Sequence, residues 1–143
     1  MILAGGTGSR LHPLTRITNK HLLPIYDRPM ISYAIEALVQ AGVSEIMLVT
    51  GGTHAGEFLR LLGNGHEFGI ERLFYAYQDK AGGIAEALGL AEKFIDGERC
   101  VVLLGDNIFE RSIKRCVEAF EKQSPHYPTS PVPAGELRVR PPL

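Results

Sequence analysis

The sequence predicts an α/β fold with a mainly parallel sheet. Apolar runs of strand length alternate with segments whose apolar residues recur at helical spacing. The runs are apolar at consecutive positions, which is typical of parallel strands buried on both faces beneath crossover helices. The chain has 143 residues, of which 45% are hydrophobic and 22% charged. This length is enough for one ordinary domain and too short for two.

The first predicted elements are a strand, a glycine loop and a helix. Met1–Ala4 is a short apolar run that enters the loop Gly5–Gly8. The prolines between Pro13 and Pro29 exclude a long regular helix there, so we expect an ordered excursion over the edge of the sheet. Pro29 suits the first turn of the next helix, and Gly42 is placed for a left-handed cap at its end. The apolar positions that predict this helix are Ile31, Ile35, Leu38 and Val39.

Three further pairs of strand and helix are expected. The predicted strands are Glu45–Thr50, Arg72–Tyr77 and Cys100–Leu104, and the predicted helices are Ala55–Leu62, Ile84–Ile95 and a segment that ends near Lys122. We therefore expect one domain over residues 1–123. Residues 124–143 hold six of the nine prolines and keep no apolar period, which predicts an extended or disordered tail. Because a sheet that has completed a helix normally continues into another strand, we interpret the fold as truncated.

The charge balance excludes several classes of partner. Fifteen basic and sixteen acidic residues give a formal net charge of −1, which argues against general binding to nucleic acid or to an anionic membrane surface. No apolar run reaches bilayer length and no leader precedes the first motif, so we expect a cytoplasmic protein.

Several residues that could carry chemistry are given a structural interpretation. Cys100 and Cys116 lack CxxC spacing and are interpreted as small core residues, and Tyr75 and Tyr77 as core side chains. The five histidines share no spacing typical of metal ligands or of a catalytic triad. They are predicted to lie at the surface: His12, His21, His54, His66 and His126.

The glycine loop is a candidate phosphate site. Glycine allows backbone N–H groups to approach an anion closely, although a tight turn explains the loop equally well. No acidic residue occurs from Met1 to Tyr26, whereas Arg10, Arg16 and Lys20 all lie there. Arg10 could fork onto phosphate oxygens and offset charge on a leaving group, and Lys20 could neutralise phosphate on the attacking side. The alternative is that these cations are solvated at the surface.

Two predicted strand ends carry further candidates. Asp106 follows the most apolar strand, at the edge where open parallel sheets place their ligands. A lone carboxylate there suits Mg²⁺, which takes its other ligands from phosphate and water. Gln78 ends the third strand, and its amide offers the donor and acceptor needed to read a pyrimidine edge. Gly83 could present bare backbone to a flat base. Plain turns and a helix start are the alternatives for Asp106 and Gly83.

The order of these motifs resembles a known family. The segments that carry the resemblance are Leu3–Leu11, Pro13–Thr15, Lys20–Ile31, Gln78 with Gly82–Ala85, and Leu103–Phe109. Together they resemble the amino-terminal half of a sugar-phosphate nucleotidylyltransferase over Ile2–Lys122. The segment Leu22–Ile31 is most similar to the branch of that family that uses glucose 1-phosphate and dTTP.

The resemblance implies a Rossmann-like, three-layer α/β/α nucleotidyltransferase fold. It implies Mg²⁺-dependent reaction of dTTP, or of UTP, with glucose 1-phosphate to give dTDP-glucose and pyrophosphate, in dTDP-sugar biosynthesis by a homo-oligomer. Catalytic roles would fall to Arg10, Lys20 and Asp106, with Asp106 binding the metal. The implied nucleotide-binding residues are Leu3, Ala4, Gly5, Gly6, Gly8, Ser9, Arg10, Gln78 and Gly83.

The resemblance leaves a second function open. The later half of such proteins supplies most sugar contacts and a second metal-binding aspartate, which this sequence does not contain. The alternative is therefore a non-catalytic nucleotide-binding fragment or accessory subunit. A redox enzyme that uses a dinucleotide is disfavoured, because the loop lacks the third glycine of that fingerprint.

Overall fold

A four-stranded parallel sheet forms the centre of the molecule. The structure is a computed structural model that describes residues 1–6, 8–79 and 82–123. Within these residues the strand order is β5-β4-β1-β6. The strands are β1 (Ile2–Ala4), β4 (Glu45–Gly51), β5 (Arg72–Gln78) and β6 (Leu103–Leu104), and a separate antiparallel hairpin joins β2 (Pro24–Ile25) to β3 (Arg28–Pro29). The predicted α/β class with a mainly parallel sheet is confirmed.

Helices cover both faces of the sheet. Ile2 and Ala4 pack on one face with residues of α1 (Met30–Gln40), α2 (Ala55–Leu62) and α5 (Lys114–Glu121), whereas Leu3 packs on the other with α3 (Gly83–Leu90). Successive side chains of a strand point to opposite faces, so three apolar residues of β1 support two cores. The result is the three-layer arrangement that the resemblance implies.

The helix predictions are confirmed closely in the first half of the chain. α2 has the predicted bounds, and Gly42 adopts the left-handed conformation after α1, with φ 88°. The single helix predicted over 84–95 is instead divided into α3 and α4 (Glu92–Ile95). The division occurs at Ala91, whose backbone N–H bonds to Leu88 O at 3.0 Å in a tightened final turn.

The last predicted strand is shorter than expected. Only Leu103–Leu104 pairs, opposite Ile2 and Leu3, because the partner strand β1 is itself only 3 residues long. Cys100 is consequently exposed rather than in the core, and Cys116 is half-buried.

The tyrosine prediction was also only partly right. Tyr75 is half-buried, and its hydroxyl donates to Gly63 O at 2.8 Å. Tyr77 is 52% exposed. Both lie on β5, which is an edge strand of the described sheet and therefore has less packing around it.

The proline-rich excursion contains short 3₁₀ turns and the β2–β3 hairpin, and no long helix. It covers the carboxyl ends of β1 and β6 rather than the side edge of the sheet. Asn19 Nδ2 donates to Ala4 O at 3.3 Å, and Lys20 contacts Asp106 beyond β6. The predicted tail, residues 124–143, lies outside the described residues. In the part of the chain that is described, no helix is long and apolar enough to cross a membrane.

Candidate active site

The carboxyl ends of β1, β5 and β6 open into a cavity of about 240 Å³. This is the edge of a parallel sheet at which ligands generally bind. Many of the predicted site residues line it: Leu3, Gly5, Gly6, Lys20, Gln78, Gly83 and Asp106. The side chains that the sequence analysis did not select are His21, Ile84, Ala87 and Leu104. The three apolar ones continue ordinary core patterns, so the sequence holds no signal that separates them from packing residues.

Glycines allow the strands to approach closely around Gln78. A Cβ atom on Gly51, at the end of β4, would lie 2.5 Å from Gln78 O, and one on Gly5 would lie 3.1 Å from Gln78 Oε1. Gln78 is 8% exposed, and its Nε2 donates to Gly83 O at 3.4 Å. The amide is therefore held at the wall of the cavity between the glycine loop and the start of α3.

Lys20 and Asp106 form an ion pair inside the cavity. Lys20 Nζ lies 2.6 Å from Asp106 Oδ2, and the two side chains are 21% and 17% exposed. Burial alone would raise the pKa of the Asp106 carboxyl, but the hydrogen bond and the positive charge of Lys20 outweigh it and lower that pKa. The sequence analysis assigned these residues to phosphate and metal. In the structure, each is the counter-ion of the other.

His21 corrects the prediction that the histidines lie at the surface. It is 3% exposed, and its ring Nδ1 lies 2.7 Å from Asn19 Oδ1, which also accepts from the His21 backbone N–H. Burial, aided by the Lys20 ammonium and opposed by Asp106, lowers the pKa of His21 to about 4. The ring is therefore neutral at pH 7. The sequence feature that could have indicated its burial is its position between the site residue Lys20 and the apolar residue Leu22.

Four predicted nucleotide-binding residues do not line the cavity. Ala4 is fully buried, and its carbonyl accepts from Asn19. Gly8 has φ 62°, and a Cβ atom there would lie 3.0 Å from Lys20 Cβ, so this glycine allows the loop to pack against Lys20. Ser9 and Arg10 are exposed in a 3₁₀ turn. Arg10 therefore does not contribute to the wall of the cavity.

The donor set fits Mg²⁺ only in part. The described residues contain no group of three or more histidine, cysteine or acidic side chains that could hold a metal. Asp106 is a single carboxylate, which suits an ion whose other ligands are phosphate oxygens and water. A metal that arrives with a triphosphate fits this site, whereas a metal held by protein groups alone does not.

Comparison with known proteins gives the family. The family model described as nucleotidyl transferase matches residues 1–135. The glucose-1-phosphate thymidylyltransferase of Actinoplanes is 45% identical over 119 residues, which is 82% of this chain and 39% of that protein. The Neisseria gonorrhoeae protein of the same name is 48% identical over 109 residues, or 76% of this chain and 38% of its own length. The chain thus spans about two fifths of the length of these curated relatives.

Solved structures agree with this assignment. A Bacillus anthracis crystal structure described as a glucose-1-phosphate thymidylyltransferase, with sucrose bound, is 54% identical and superposes with a TM-score of 0.82 over 85% of this chain and 49% of that one. UDP-glucose pyrophosphorylase complexed with UDP-glucose is 27% identical, with a TM-score of 0.65 over 85% of this chain and 52% of that one. The resemblance seen in the sequence is confirmed: this chain belongs to the nucleotidyl transferase family, and its relatives there are sugar-phosphate nucleotidyltransferases.

Proposed function

We propose that this chain binds dTTP and transfers its nucleotidyl group to glucose 1-phosphate, giving dTDP-glucose and pyrophosphate with Mg²⁺ as cofactor. The observation that carries the proposal is the meeting of Lys20, Asp106 and Gln78 in one cavity at the carboxyl ends of the strands. The names of the relatives support the choice of glucose 1-phosphate and of a thymidine nucleotide. UTP is the alternative nucleotide, and the setting is dTDP-sugar biosynthesis in the cytoplasm.

The nucleoside would lie against Gln78. Its amide supplies one donor and one acceptor, the pair that a pyrimidine edge requires. Gly5 and Gly83 leave backbone exposed on either side of that amide, where a flat base can approach. Leu3, Ile84 and Ala87 provide apolar surface behind it. The base would thus be held in a narrow cleft, with the Gln78 amide hydrogen-bonded to its edge.

The phosphates would lie against Lys20. With a triphosphate bound, the Lys20 ammonium would contact phosphate oxygens in place of the Asp106 carboxylate, and Asp106 would hold Mg²⁺. Bound Mg²⁺ supplies charge neutralisation on the phosphate oxygens. Arg10 does not line the cavity, so it would contact a part of the ligand that extends beyond the cavity, where its charge would suit the departing pyrophosphate. Catalysis is then mainly positioning of the sugar phosphate in line with the α-phosphorus, without a covalent intermediate.

A specific observation favours the second candidate, a nucleotide-binding unit without catalysis. The cavity of about 240 Å³ is smaller than most ligand sites, which span roughly 300–1,000 Å³. It offers room for part of a nucleotide. With two fifths of the length of its relatives, the chain would supply the nucleotide half of a site.

The test is calorimetric titration of the 143-residue chain with dTTP and Mg²⁺, with UTP and NAD as comparators. Selective dTTP binding is expected, and Lys20→Met should abolish most of it. Lys114→Met removes an equivalent charge from an exposed pair with Glu118 and is the matched control. Pyrophosphate release that requires glucose 1-phosphate would establish transfer. Binding without release would favour the nucleotide-binding unit, and preference for NAD would refute both.

A further inference from the structure

His21 is a buried side chain of the cavity for which the proposed function has no use. It directly follows Lys20 in the chain, and its ring packs against the backbone of Gly105, which directly precedes Asp106. The ring therefore lies between the two chain segments that carry the ion pair. Its position bears on how far apart the two charges are held.

Hydrogen bonds fix the orientation of this ring. Asn19 Nδ2 donates to Ala4 O, so Asn19 Oδ1 is the atom that faces His21. Because an amide oxygen only accepts, the His21 ring carries its proton on Nδ1 and donates at 2.7 Å. The backbone N–H of His21 donates to the same oxygen at 3.0 Å. The ring is thus tied to the end of β1 through Asn19.

The other edge of the ring occupies the space beside Gly105. A Cβ atom at position 105 would lie 2.8 Å from His21 Cδ2 and 2.9 Å from Ile31 Cδ1. Gly105 N–H also donates to Leu3 O at 2.9 Å, which anchors this residue to β1. The His21 ring and Gly105 therefore pack tightly against each other, a contact that we call the interlock. Asp106 is the next residue in the chain.

We propose that His21 is a positioning residue that sets the separation of Lys20 and Asp106 by packing its ring against Gly105. The ring has no part in the chemistry itself. It places the carboxylate and the ammonium so that one Mg²⁺–triphosphate complex engages both. The ligand part of this inference rests on the proposed function, whereas the structural part does not.

The structural test uses His21→Asn in the ligand-free 143-residue chain. The asparagine amide replaces Nδ1 and keeps the bond to Asn19, but it lacks the ring atoms that contact Gly105. In a crystal structure we expect the distance from Lys20 Nζ to Asp106 Oδ2 to change by more than about 0.5 Å, the tolerance of a preorganised site. The matched control is His66→Asn, at an exposed histidine. An ion pair unchanged in His21→Asn would overturn the proposal.

A second substitution tests the interlock directly. Gly105→Ala alone should displace Asp106, since its methyl group meets the ring. Combined with His21→Asn, the methyl group no longer meets the ring, and its remaining close contact is with Ile31 Cδ1, the end of a flexible side chain that can move aside. The ion-pair distance should then return towards that of the wild type. Displacements that simply add in the double variant would contradict an interlock.

The ligand readout is the ratio of the dTTP dissociation constants without and with Mg²⁺. His21→Asn should lower this ratio roughly tenfold, as for other residues that orient a metal ligand, while metal-free dTTP affinity changes by less than about twofold. Equal losses with and without the metal would reveal a merely structural role and overturn the proposal. Failure of the wild-type chain to bind dTTP would refute the proposed function, and the crystallographic distance would still decide the role of His21.

Discussion

The two ends of the sheet both carry a cavity, and the larger one is not the candidate site. The cavity at the amino ends of the strands measures about 380 Å³, against about 240 Å³ at the carboxyl ends. Its walls include Phe94, Val117 and Phe120, together with Arg99. Arg99 donates to the backbone carbonyls of Phe120, Glu121 and Gln123, so its charge caps the end of α5.

At the carboxyl end the charges serve no such structural element. Lys20 and Asp106 bond to each other across a cavity, and a ligand that supplies both charges could replace both contacts. The comparison teaches that size does not identify a site. A ligand site is better indicated by charged side chains that can exchange one partner for another, and by backbone that a ligand can approach.

The largest expected effect is that of Arg10→Ala. It should reduce pyrophosphate release from dTTP and glucose 1-phosphate about a hundredfold, because the charge is matched to the leaving group. Affinity for dTTP should fall much less. Arg16→Ala, at an exposed arginine of the same acid-free segment, is the control. Equal losses of turnover and affinity would mean that Arg10 only binds.

The next prediction concerns pH and the buried histidine at the carboxyl end. The pKa of His21 falls from 6.5 in the unfolded chain to about 4 in the folded one, so below pH 6.5 the unfolded chain binds more protons. Stability is therefore fully present above the unfolded pKa and decreases as pH falls towards the folded pKa. The free energy of unfolding should drop by about 2 kcal/mol between roughly pH 7.5 and 5 from this group.

Urea unfolding at the two pH values measures this dependence. His21→Asn should remove most of it, and His66→Asn should leave it unchanged. A decrease of the same size in His21→Asn would assign the dependence to other groups. The burial of His21 would then contribute little to the stability of the carboxyl end.

A smaller effect is expected from Asp106→Asn. The amide has the same shape but no charge, so Mg²⁺-dependent dTTP binding should weaken about tenfold, with metal-free binding nearly intact. Titration calorimetry with and without Mg²⁺ measures both. Unchanged metal dependence would count against Asp106 as the ligand.

The smallest effect should come from the amino end. Arg99→Met removes the cap of α5 and should lower the free energy of unfolding by about 1 kcal/mol. Affinity for dTTP should stay within about twofold of the wild type. Thermal unfolding and calorimetry together check this variant. A large loss of nucleotide affinity would place the amino-end cavity in the function and break the contrast between the two ends.

The predictions from sequence are confirmed for elements whose bounds are determined by their own residues. The apolar run of β4 and the helical period of α2 lie within the elements themselves, so their bounds differ from the structure by one residue or less. β6 failed because its length depends on β1, a partner distant in the chain. Cys100, placed in the core by its apolar neighbours, is exposed for the same reason.

The candidate site shows the same difference between features that follow from a general rule and features that depend on distant contacts. Gln78 and Asp106 are predicted because the carboxyl ends of parallel strands meet at one edge, which is a rule of topology. Lys20 is predicted from the absence of acidic residues in the segment from Met1 to Tyr26. The pairing of Lys20 with Asp106 joins residues 86 positions apart, and no local pattern encodes it. His21 became a buried residue through Asn19 and Gly105, contacts that charge and spacing alone do not reveal.

The ion pair of Lys20 and Asp106 should also discriminate against simple ions. A lone Mg²⁺ ion bound to Asp106 would leave the Lys20 ammonium without a counter-charge in a half-buried cavity. A lone phosphate bound to Lys20 would leave the Asp106 carboxylate without one. Only a ligand that carries both a positive and a negative charge gives each of the two side chains a counter-charge. We therefore expect the cavity to bind inorganic phosphate alone or magnesium alone weakly, and to bind a complex of magnesium with a nucleotide.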